Sequence, residues 1–224
     1  MEDKYDPKEI IKNSYKYLNQ TIEEAWNTLS KNAPAKLRSL DSLIKFMRKW
    51  TASYNSALFN YVEAEHGIDE KHNKNEYYAD RILFYILDNY FMAGIIKGIG
   101  EYAKKLDPKD PDYYKKVKNI TDFINYLIDL EEFSMIYAAF TEKTAKELKS
   151  KGKKSLKDYN DTLQKMSNYL ANTVENLLED PIKNRKQFYK SLLKTRSNYI
   201  SKLTEPLYET FKRIKNIFHY NDIF

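Results

Sequence analysis

The sequence predicts an all-α fold: an antiparallel bundle of six or seven helices, some long, ending in a basic C-terminal helical segment. Three observations predict it. Chain breakers are scarce, with 5 Gly and 6 Pro in 224 residues, where average usage gives roughly 16 and 11. Apolar residues recur at spacings of three and four, and no segment alternates with period two over a strand's length. Finally, Asp6-Pro7, Asp180-Pro181 and Glu205-Pro206 pair a side-chain acceptor with proline, the chemistry of a helix start.

The first helix starts at Pro7, with Asp6 as its N-cap and Glu9 three residues after it as in a capping box. Ile11, Tyr15, Leu18, Ile22, Ala25, Trp26 and Leu29 form its expected buried face, and Asn32-Ala33-Pro34 ends it. A second helix is expected from about Ala35 to His66, with Leu37, Leu40, Ile44, Met47, Tyr54, Leu58, Tyr61 and Val62 in register and Gly67 as its stop. Gly67 to Glu76 is polar apart from Ile68 and reads as an exposed loop.

The next helix, roughly Tyr77 to Leu106, is apolar nearly all round, which places it in the middle of the bundle. Gly94, Gly98 and Gly100 near its end allow a neighbouring helix to approach closely. Asp107-Pro108 and Asp110-Pro111 make a turn. A very long helix then runs from about Asp112 to Ser150, with Glu131-Glu132 as the place where it would break. At about 1.5 Å per residue it would reach some 60 Å, more than a compact bundle needs. Ser155 caps another helix, with Tyr159, Leu163, Met166, Leu170, Val174, Leu177 and Leu178 on one face. The basic helix runs from Asp180-Pro181 to about Leu203, and a last helix runs from Glu205-Pro206 to near His219. Residues 1–150 are expected to form the main bundle, and residues 155–224 a helical pair with a basic tail, the whole being readable as one continuous domain.

Composition narrows the chemistry. The absence of Cys excludes disulfides, thiol catalysis and Cys-ligated zinc or iron–sulfur sites. No apolar run is long enough for a transmembrane helix and no cationic leader opens the chain, so the expectation is a soluble, cytoplasmic protein. Three His (His66, His72, His219) leave little for acid–base work. Glu63-x-x-His66 has the spacing of a di-metal bundle ligand pair, but its only companion is Asp69-x-x-His72 in the adjoining polar stretch. It therefore reads as a helix end capped by His, and no metal or cofactor is assigned. Adjacent carboxylates such as Glu23-Glu24 point about 100° apart on a helix and share no site. No Gly-x-Ser-x-Gly or phosphate-binding loop occurs, so no catalytic residue is assigned and the chain reads as non-enzymatic.

Charge is the clearest surface signal. The net value is +6, yet residues 181–224 hold ten basic and three acidic residues, a local +7. Lys183, Lys186, Lys190 and Lys194 fall within about 80° of arc on a helix, and Arg213 lies further along. These five are the candidate residues for binding nucleic acid or another anion. Lys outnumbers Arg in this stretch by seven to three, which suits diffuse attraction to phosphates better than bidentate reading of bases. The 20 tyrosines suit broad, partly polar interfaces, because the ring packs while the hydroxyl stays hydrated. A protein partner or self-association is thus the first expectation, and nucleic acid through residues 181–224 the second.

Two family resemblances add to this. Phe133 to Phe211 comprises an aromatic-rich helix, then Gly152 and Ser155 before Tyr159, a helix closing at Leu178-Glu179-Asp180-Pro181, and another helix. This stretch resembles PhaE, the accessory subunit of class III polyhydroxyalkanoate synthases. Where that family places a Trp three residues after its Tyr, this chain has Thr162. The resemblance implies a non-catalytic helical subunit that binds and activates a polymerising synthase. Arg213 and His219, an Arg-x5-His pair, resemble the motif of helical ribonucleases of the HEPN type, with Ile214 in place of the usual polar residue after the Arg. That likeness implies an RNase in which both side chains act on the scissile phosphate.

Overall fold

The computed structural model describes residues 7–33, 40–50, 74–128 and 156–181, with individual positions between 133 and 147 and between 183 and 187. Among the described residues there is no strand. The helices are α1 (Pro7–Asn32), α2 (helical residues 40–50), α3 (Lys74–Ala103), α4 (Tyr113–Leu127), α5 (the described helical positions between 133 and 147) and α6 (Leu156–Glu179). The all-α expectation is met.

Helix α3 organises the rest. From Ile86 to Ile96 every residue is buried, in agreement with its apolar run, and it packs along its length against α1 and α6. Its glycines set the distance of closest approach. A methyl group built on Gly98 would lie 2.6 Å from the Ala171 carbonyl oxygen and 2.6 Å from Val174 Cβ of α6. One on Gly94 would lie 2.9 Å from the Ser167 carbonyl oxygen, and one on Gly100 3.0 Å from Ala25 Cβ of α1. The three glycines thus serve helix packing, two toward α6 and one toward α1, as their spacing suggests.

Paired contacts give the helix directions. Ser14 meets Asn89, Ala25 meets Gly100 and the Asn32 side chain donates to the Ala103 carbonyl at 2.8 Å, so α1 and α3 run the same way. Gly94 against Leu170, Gly98 against Val174 and Lys105 against Glu179 show the same for α3 and α6. Against α4 and α5 the order reverses: Tyr102 meets Asn119, while Phe91 meets Phe133 and Asp88 meets Tyr137.

The buried side of α1 is rotated from the expected one. Tyr15 and Trp26 are 37% and 38% exposed, whereas Ser14 and Thr21 are buried with Leu18, Ala25 and Leu29. At the C-terminal half the cause is the close approach of Gly100 of α3, which takes Ala25 inward and turns Trp26 outward. The buried hydroxyls are satisfied at home: Ser14 donates to the Ile11 carbonyl and Thr21 to the Tyr17 carbonyl, each at 2.8 Å.

Two boundaries differ from expectation. Helix α3 begins at Lys74, so the last residues of the polar Gly67–Glu76 stretch are helical rather than loop. The single long helix from Asp112 is also cut short, because α4 ends at Leu127 with Ile128 as its C-cap. The expected break at Glu131-Glu132 lies outside the described residues, as do 51–66 of the second helix and the caps Asp6 and Ser155.

The turn between α3 and α4 forms as its sequence demands. Asp107 accepts from the Lys109 amide at 2.9 Å and Asp110 from the Asp112 amide at 2.8 Å, each across a proline that has no amide to give. Tyr113 then donates its hydroxyl to the Asn32 carbonyl at 2.5 Å, tying the start of α4 to the end of α1 and supplying one of the carbonyls a helix end leaves without a partner.

Candidate functional site

The entry to the basic segment is built on the end of α6. Asp180 accepts from the Lys183 amide through its side chain at 3.1 Å and from the Asn184 amide through its carbonyl at 2.9 Å, the geometry of an N-cap. Asn184 donates back to the Asn176 carbonyl at 2.6 Å, and Asn119 of α4 donates to the Leu178 carbonyl at 3.1 Å. Lys105, just past α3, pairs with Glu175 at 2.9 Å and also with Glu179. Hydrogen bonds to the Glu179 and Glu175 carboxylates push the Lys105 ammonium well above the usual lysine range, so it stays charged. As an exposed ion pair this contributes at most about 1 kcal/mol, and it orients the junction more than it stabilises it.

Lys183 and Lys186 both stand exposed beyond this junction, three residues apart and so on one helix face. Of the five anion-binding candidates these two are placed; Lys190, Lys194 and Arg213 lie outside the described residues. The pairs Glu63/His66, Asp69/His72 and Arg213/His219 lie outside them too. Among the described residues no group of three or more His, Asp or Glu is arranged to hold a metal ion. One recess, lined by Thr21, Glu24, Lys97, Gly100, Glu101 and Lys104, offers about 20 Å³, room for about one water molecule and far below a metabolite site.

Exposed aromatic rings mark the rest of the surface. Tyr15 of α1 and Tyr85 of α3 meet edge to face at 5.1 Å, although both remain substantially exposed. Tyr114 is 83% exposed on α4. Tyr169 of α6 is half exposed and carries the Lys143 ammonium 3.1 Å from its ring centroid, and that cation lowers its phenol's pKa. Among the described residues no helix is long and apolar enough to cross a membrane.

What periodicity did not predict is polarity inside the core. Asp88 and Asn89 are buried in the middle of α3, and Tyr137 donates to Asp88 Oδ1 at 2.7 Å. The signal was present in the sequence: an Asp-Asn pair interrupts the run from Ile82 to Met92. Beside it, burial pushes the Tyr90 phenol up to about 12. The raised value favours the folded state fully below the ordinary tyrosine range near pH 10 and ceases to do so as pH rises to about 12. Fold stability is therefore expected to fall between pH 10 and 12, by on the order of 2–3 kcal/mol from this residue, with Tyr90→Phe flattening the profile. Urea unfolding at stepped alkaline pH measures this, and a profile equally steep in Tyr90→Phe would contradict it.

Comparison with protein-family models, with curated proteins and with solved structures finds no match to this chain.

Proposed function

We propose that the chain is a non-enzymatic helical scaffold or accessory protein, a bundle of six or seven helices working in the cytoplasm through protein–protein contact and self-association. The observation that carries the reading is the placement of large aromatic side chains outside a closely packed core. Tyr15 and Tyr85 form an exposed pair across two helices whose close approach is made by small residues, Ala25 against Gly100. Tyrosine at such positions offers contact area with little loss of side-chain freedom on binding. The resemblance of residues 133–211 to PhaE makes a polymerising synthase the first partner class to try. The test is affinity purification from the native host, with and without nuclease, comparing the wild type with Tyr15→Ser/Tyr85→Ser. A partner set that survives nuclease and is depleted at least tenfold by the double substitution supports the proposal. A set unchanged by the substitution removes its basis.

A second reading is binding of nucleic acid through Lys183, Lys186, Lys190, Lys194 and Arg213. It is favoured by the local charge of +7 and by the exposure of Lys183 and Lys186 on a capped, anchored helix start. Phosphate contacts release counterions, so five of them predict an affinity loss of roughly 10²-fold or more between 50 and 200 mM salt. Binding that persists unchanged over that range, or in Lys183→Glu/Lys186→Glu, excludes it.

A further inference from the structure

The exposed side of α1 is bordered by a row of apolar residues. Tyr15 and Trp26 are exposed, Ile11 and Ile22 are half-buried at the edge of the core, and all four fall within about 60° of arc. Tyr85 of α3, exposed beside Tyr15, widens the row toward the bundle. The other flank is charged. Lys12, Lys16 and Glu23 are exposed there, about 60–100° round the helix from Tyr15, and none of the three has an ion-pair partner among the described residues. Lys12 and Lys16 stand one turn apart, where like charges repel.

The order of these residues is self-complementary. Tyr15 and Ile22 are centred on a point between Leu18 and Asn19, and Ile11 and Trp26 are centred on the same point. A two-fold contact between identical surfaces needs this pattern: if residue i meets residue j, then j meets i. When a second α1 lies antiparallel across that point, each Tyr15 faces an Ile22 and each Ile11 a Trp26. A two-fold axis perpendicular to the helices also brings like flanks together. Glu23 of one copy then comes level with the turn between Lys12 and Lys16 of the other. The exposed Asn19 amides meet near the axis, and an amide, being both donor and acceptor, can pair with its own copy. A parallel pair keeps Glu23 seven residues from the nearest of these lysines, about 10 Å along the axis, and gains no such contact.

We propose that this face of α1 is where a second copy of the chain docks, antiparallel about a two-fold axis near Asn19, with the Glu23 carboxylate of each copy between Lys12 and Lys16 of the other. Such a dimer rests on the reading of Tyr15 and Tyr85 as contact residues and gives them a partner. The aromatic rings supply the affinity, since Trp and Tyr in the middle of an interface carry much of its energy. The charged rim sets the orientation and rejects the parallel alternative.

Charge exchange tests this with substitutions at exposed positions that leave the core alone. In sedimentation velocity over a concentration series, the wild type should pass from monomer to dimer. Glu23→Lys gathers three lysines at each rim contact, and Lys12→Glu/Lys16→Glu gathers three carboxylates. Each should weaken the dimer at least about tenfold. Mixed in equal amounts, the two variants should form a heterodimer of wild-type affinity, because both rims are again complementary. The absence of cysteine allows a check of direction with a short bismaleimide. Asn19→Cys should cross-link to its own copy. Ser30→Cys, on the same flank but about 34 Å from its copy along the axis, should not. A monomer at every concentration overturns the proposal and self-association with it, while the affinity purification still reads capture of other proteins by Tyr15 and Tyr85. A dimer indifferent to both charge variants, a mixture no tighter than its components, or cross-linking through Ser30→Cys leaves self-association standing and overturns this interface.

Discussion

Replacing Gly98 with Ala is expected to destabilise the protein by about 1–3 kcal/mol, although alanine is the better helix former by about 1 kcal/mol. The two effects oppose each other, and the geometry decides the sign. The added methyl would lie 2.6 Å from the Ala171 carbonyl oxygen and 2.6 Å from Val174 Cβ. These are backbone and near-backbone atoms of α6, so relief requires moving a helix and not rotating a side chain. For a chain of this size each kcal/mol corresponds to roughly 2–4 °C, so a loss of several degrees in thermal midpoint is expected. Gly100→Ala is the control. Its methyl would meet Ala25 Cβ at 3.0 Å and Ala25 Cα at 3.1 Å, contacts that a shift of a few tenths of an ångström relieves, and the helix-propensity gain should leave it within about 1 kcal/mol of wild type. Urea unfolding of both variants checks the argument, which fails if Gly98→Ala is as stable as Gly100→Ala.

The same glycines show why helix faces were less legible in the sequence than helices were. Starts governed by local chemistry were readable: the helical run from Pro7 and the cap made by Asp180 both follow from an acidic residue before a proline. The start at Lys74 was easily missed, although Asn73 before it and Glu76 three residues on have the residue types of a capping box, because both lie in a polar stretch that reads as loop. The end of α4 at Leu127 was not legible, since no Gly or Pro follows and Ile128 and Leu130 continue the apolar spacing. Which flank of α1 would be buried depended on its partner. A glycine on α3 asks for Ala25 opposite it, and turning Ala25 inward turns Trp26 outward. Periodicity within one helix gives a stripe, but the edge of that stripe is decided by the neighbour. At the candidate site, the exposure of Lys183 and Lys186 could be read from their spacing. Their partner could not, because ammonium groups in a row attract any polyanion.

Phe91→Ala is expected to cost more than any other single substitution considered, about 3–5 kcal/mol. Phe91 is fully buried, with ring centroids of Phe133 at 5.3 Å, Tyr137 at 4.9 Å and Phe140 at 5.5 Å, mostly edge to face. Trp50 of α2 closes the cluster at 4.5 Å from Phe133 and 5.8 Å from Tyr137. One ring of α3 therefore joins α5 directly and α2 at one remove, and removing it leaves a void bounded by rigid groups that cannot collapse into it. Phe91→Leu fills most of that void and should lose only about 1 kcal/mol. Tryptophan fluorescence separates a local from a global response. With Trp26→Phe, at a position already 38% exposed, Trp50 becomes the sole emitter and reports the cluster itself. If the cluster is part of the cooperative core, the Trp50 and circular-dichroism transitions of Phe91→Ala should shift together to lower urea. A Trp50 transition that moves alone would place α2 and α5 in a unit that opens separately from α1, α3 and α6.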